Sequence, residues 1–123
     1  MTLSNYAEDK VADAIANNVS LAVAALYAKL HIGDPGEDCT ANPAVETTRK
    51  AVSFAASSGG TALSDALTEW TNVAATETYT HVSLWDNVSA GNPWGSGALA
   101  VPQAMTAGNT FDLPSGNIAL AIN

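Results

Sequence analysis

A chain of 123 residues, 47% of them hydrophobic and 13% charged, is long enough for one core and too short for two ordinary ones. The charged fraction is about half the usual one, and twelve acidic against four basic residues leave a net charge of −8. That charge repels a phosphate backbone or an anionic bilayer, so neither nucleic acid nor a membrane surface is expected as a partner.

The single cysteine, Cys39, cannot form a disulfide or a cysteine-based metal cluster within one chain. The N-terminus MTLSNYAEDK lacks the basic region and apolar run of a signal peptide. No segment approaches the ~20 apolar residues of a membrane span. These features predict a soluble protein made in a cytoplasm, with residues 1–123 forming one domain.

Residues 4–18 read as a helix occupying the N-terminal segment 1–18. Ala7, Val11, Ile15 and Val19 recur every four residues, and Glu8, Asp9 and Asp13 lie near the start, where the helix dipole favours anions. Ser4 or Asn5 is the N-cap, Asn5 and Glu8 have capping-box spacing, and Asn17-Asn18 offer a stop. The Ala/Val stripe is thin and needs something to lie on, either its own sheet or a neighbouring subunit.

The period then changes to two. Leu26, Ala28, Leu30 and Ile32 alternate with Tyr27, Lys29 and His31, the pattern of a half-buried strand. The run 19–25, VSLAVAA, fits either element. Gly33-Asp34-Pro35-Gly36 ends the strand, and a polar loop follows to about Thr48.

Beyond it, short segments alternate with turn clusters: Arg49 to Ala56, one or two strands marked by Leu63, Leu67 and Trp70, then Tyr79 to Asp86. A turn-rich loop, Asn87 to Pro93, returns into a strand from Trp94 to Val101, and Phe111 to Leu113 and Ile118 to Ile122 close the chain. Seven or eight short strands over residues 19–123 behind one α-helix predict a mainly β protein, an antiparallel β-sandwich or, failing that, a barrel. No heptad or internal repeat supplies a fibrous shaft.

Candidate chemistry is sparse. His31 and His81 are the available histidine bases, and neither adjoins a nucleophile elbow. His81 and Asp86 are five apart, which puts them on opposite faces of a strand unless a bulge intervenes. Each histidine is expected to face solvent or a subunit contact. Asp34, Glu37 and Asp38 are the candidate metal ligands, on a loop of the kind calcium uses, though without EF-hand spacing; solvated loop acids are the plainer reading. Trp70, Trp85 and Trp94 can form a sugar-stacking platform or fill a core or interface. Tyr6, Val11, Ile15, Trp85 and Trp94 are the candidate interface residues.

Taken in order, LSNYAEDKVADAI, LHIGDPGED, RKAVSFAASSGG, THVSLWD and GSGAL give the chain a likeness that covers most of its length. It resembles a family of small virion structural proteins of tailed bacteriophages, labelled tail-fibre or minor structural proteins, with similar small β-proteins decorating capsids. The resemblance implies an N-terminal helix, a strand ending in the turn at Leu30 to Gly36, a β-sandwich body and no catalytic residues; no phosphate loop or dinucleotide fingerprint occurs, so no cofactor is expected. Ala7 stands where a larger apolar residue is common, and Thr47-Thr48 where the pattern has Gly and an aromatic.

The expected function is that of a non-enzymatic virion protein, homo-oligomeric and packed on other virion proteins. Compactness, the missing shaft and a weakly charged surface favour a capsid decoration or minor capsid protein. The alternative is a tail-fibre or minor tail protein, with or without a host-carbohydrate role.

Overall fold

The computed structural model describes residues 1–122 and contains one helix and nine strands among them. In chain order these are β1 (Thr2–Leu3), α1 (Asn5–Ala16), β2 (Leu26–His31), β3 (Lys50–Val52), β4 (Thr61–Leu63), β5 (Thr68–Trp70), β6 (Glu77–Trp85), β7 (Pro93–Met105), β8 (Phe111–Leu113) and β9 (Ala119–Ala121). The protein is mainly β, as its periodicity predicts. A two-residue strand precedes the helix, and residues 19–25 belong to neither flanking element.

Ser4, not Asn5, caps α1. Its backbone is extended, its Oγ accepts from Ala7 N at 3.1 Å, and its hydroxyl donates to Pro93 O at 2.6 Å. Asn17 N bonds Asp13 O, and Asn18 turns left-handed at φ +55 to end the helix. Only Ala7 is fully buried; Val11 is half-buried and Ile15 is 81% exposed. The helix is therefore pinned by its first turn and leaves the surface as it runs. A small residue at position 7 is what lets that turn sit close to β7.

Five strands form one antiparallel sheet in the order β1-β7-β6-β2-β3, and β4-β9 and β5-β8 form two ribbons. In the β2–β6 register Ala28 faces Leu84 and Leu30 faces Val82, all buried; Tyr27–Trp85, Lys29–Ser83 and His31–His81 occupy the opposite face. The ribbons bring Trp70, Phe111, Leu113 and Ile118 onto the Ala28/Leu30 side, which closes the core. Phe111 lies between Trp70 and Tyr79, with ring centroids 5.7 and 5.1 Å away.

The β6–β7 ladder is not regular. Tyr79 pairs with Gln103 and His81 with Ala98, so Leu99 to Pro102 stand opposite Thr80 alone. This irregularity changes the phase of the strand, and Tyr79 and Val82 both enter the core despite an odd separation.

The Tyr79 hydroxyl is buried without a hydrogen-bond partner among the described residues. Burial, with the Glu77 and Glu46 charges added, pushes its pKa up to about 12. Tyr79→Phe removes that unpaired group, and the expected result is a gain of about 1 kcal/mol in urea unfolding. A loss of similar size would show that the hydroxyl has a partner in solution.

Candidate functional site

The β6–β7 hairpin carries the residues that first suggest chemistry. Asp86 begins its loop and accepts from Asn92 N at 2.7 Å, Trp94 Nε1 at 3.1 Å and Asn92 Nδ2 at 3.4 Å. Burial pushes its carboxyl up, but these hydrogen bonds outweigh burial and hold it below the usual carboxylate range. Gly91 closes the loop at φ +81, where a side chain would run into Asp86. Asp86 is thus a turn clamp. His81 is half-buried and shares a 2.8 Å hydrogen bond with Thr80 Oγ1 through Nδ1.

His31 is fully buried, contrary to the expectation that it faces solvent or a subunit contact. Its Nδ1 lies 2.9 Å from Ala41 O and its Nε2 2.7 Å from Ser83 Oγ. A carbonyl can only accept, so Nδ1 carries the proton and Nε2 accepts from the Ser83 hydroxyl. Ser83 Oγ in turn accepts from Trp85 Nε1 at 2.9 Å. All three side chains are satisfied when the imidazole is neutral, and burial keeps the His31 pKa below its ordinary value.

The Ser83–His31 distance is that of a nucleophile and its base. Yet both residues are sealed at 0% exposure, and a main-chain carbonyl, not a carboxylate, orients the ring. The pair holds β2, β6 and the loop at Ala41 together. Nothing in the sequence marks it, because its members are 52 residues apart and meet only through strand pairing.

Trp85 and Trp94 are 8% and 9% exposed. The Arg49 guanidinium lies 4.2 Å and the Lys29 ammonium 5.7 Å from the Trp85 ring, and Arg49 also donates to Asn87 O and Ala90 O. Tyr6 meets Trp94 edge-on at 5.4 Å. Neither indole presents the open face that sugar stacking needs. Beside Trp94, an apolar recess of 160 Å³ is bordered by Val11, Leu21, Val23, Leu26 and Leu120; Ile15 and Val19 are exposed.

Asp34, Glu37 and Asp38 are exposed, and Asp34 accepts from Gly36 N within its own turn. Among the described residues no three His, Cys, Asp or Glu side chains are placed to hold a metal ion.

Among the described residues, the buried polar groups of His31, Ser83 and Trp85 in this small, mainly β chain are satisfied within the fold, and large apolar side chains such as Ile15, Val45, Leu67 and Val101 are exposed. The chain belongs to the family described as podophage GP4 fiber I protein gp80, whose family model matches residues 2–121. Its members are phage virion components. A search of curated proteins finds no match.

Proposed function

We propose that the chain is a fibre-type component of the phage tail, working through protein contacts and not through catalysis. The family match across residues 2–121 carries this reading. The sealed Ser83–His31 pair agrees with it, since a nucleophile that no substrate reaches serves the fold. Residues 1–123 act as one unit, and the interface takes in Tyr6, Val11 and Ile15, with Trp94 packed under Tyr6 and Trp85 a further candidate beside Arg49 and Lys29. The partners are other virion proteins and further copies of this chain.

Capsid decoration rests on composition alone, and copy number separates the two sites. Quantitative mass spectrometry of purified virions is expected to find few copies per particle. Hundreds of copies, spread over the head, would move the protein to the capsid.

A further inference from the structure

The two layers do not close on each other along their whole length. β7 has a strand on its outer edge only where β1 pairs with Gly95 and Ser96, and Met1 packs against Gly97; from Leu99 to Met105 no strand pairs with that edge among the described residues. β8 pairs with β5 alone. Both free edges border one cleft of 390 Å³, with Leu99 to Val101 and Gln103 on one wall and Phe111 to Leu113 on the other. A second cavity of 210 Å³ shares Leu99, Ala100 and Asn117 with it and continues to Gly97. A free edge templates another strand, and proteins ordinarily blunt one with charge. Here Pro102 removes a single donor, and no charged residue occurs between Asp86 and Asp112.

The same chain carries a strand-like segment without a ladder. Residues 19–25, VSLAVAA, place apolar Val19, Leu21 and Val23 at the β period, and all three are exposed. No main-chain hydrogen bond is made by Ser20 to Ala24 among the described residues. Leu21 and Val23 border the recess beside Trp94, so the segment lies along the surface with its main-chain groups unpaired among the described residues. Copies with a net charge of −8 repel each other except where uncharged faces meet. The segment is uncharged, and Asp112 is the one charged residue of the cleft.

We propose that residues 19–24 of one copy add as a strand to the cleft between β7 and β8 of another, joining copies into an oligomer. Main-chain hydrogen bonds supply the affinity and the alternating side chains set the register. This deepens the assembly reading above and rests on it.

Light scattering on the purified chain at about 0.1 mM, a concentration that detects micromolar association, is expected to give a multiple of the 12.5 kDa protomer. Val101→Lys and Val19→Asp should each return the mass to one protomer with unchanged circular dichroism, because both positions are exposed. Val101→Lys also lowers the repulsion between copies, so the loss of assembly cannot be assigned to charge. Under oxidation, a mixture of Ser20→Cys and Gln103→Cys proteins should cross-link faster than either alone. A monomeric wild type, an oligomer that survives both substitutions, or cross-linking no faster in the mixture overturns strand addition. A monomer that is still found at few copies in virions removes this inference and leaves the fibre reading standing.

Discussion

Trp70→Ala is expected to cost about 3–5 kcal/mol, the range for removing a large aromatic from a core. The indole is fully buried, stacks at a tilt on Phe111, and donates from Nε1 to Thr48 O at 2.8 Å. It joins three parts of the molecule: the β5–β8 ribbon, the five-stranded sheet and the loop before β3. Trp70→Phe should cost less, since it keeps the apolar contact and leaves one carbonyl without its donor, a loss of about 1–3 kcal/mol. Urea unfolding followed by circular dichroism measures both. A loss under about 1 kcal/mol for the alanine variant would mean that the ribbon is not seated on the sheet in solution.

The second large effect lies on the other face of the sheet. Ser83→Ala deletes the hydroxyl that donates to His31 Nε2 and accepts from Trp85 Nε1, which leaves two buried nitrogens unpaired. The expected loss is about 2 kcal/mol or more. The network also predicts a pH dependence. Burial holds the folded His31 pKa below its ordinary value, Lys29 adds to this, and the Ala41 carbonyl only partly offsets it.

An imidazole in the unfolded chain titrates near 6.5. As pH falls through about 6.5, the unfolded chain takes up a proton that the folded one refuses, so stability is lost on acidification and is fully present above that pH. One proton sets a ceiling of about 1.4 kcal/mol per pH unit on that slope, reached only where the unfolded imidazole is fully charged and the folded one fully neutral. His31→Gln should flatten the stability profile between about pH 5 and 7. A profile as steep as that of the wild type would place the titration on another group.

The parts of the fold that were legible in advance are those set by neighbours in the chain. The helix shows in its four-residue spacing and its cap. The hairpin of β6 and β7 shows in alternation on both sides of Asn87 to Pro93, and β8 coincides with the predicted Phe111 to Leu113. The failures have physical reasons as well. β1 has two residues, too few to show a period, and exists because Thr2 and Leu3 find β7. The phase change at Thr80 is invisible in β6 itself, because the extra residues lie in β7. His31 and Trp85 occupy the alternate face, which local pattern assigns to solvent; the loop at Ala41, Arg49 and Lys29 cover it instead.

By itself, then, the sequence determined the mainly β class, the N-terminal helix and the main turn positions, since each depends on torsional preference or periodicity within a few residues. Tertiary structure alone decided that His31 is buried against Ser83, that the tryptophans are covered, and that α1 leaves the surface at Ile15. It also decided that a cleft stays open between β7 and β8. These are outcomes of strand pairing across tens of residues, where long-range hydrogen bonds and exclusion of water outweigh local pattern.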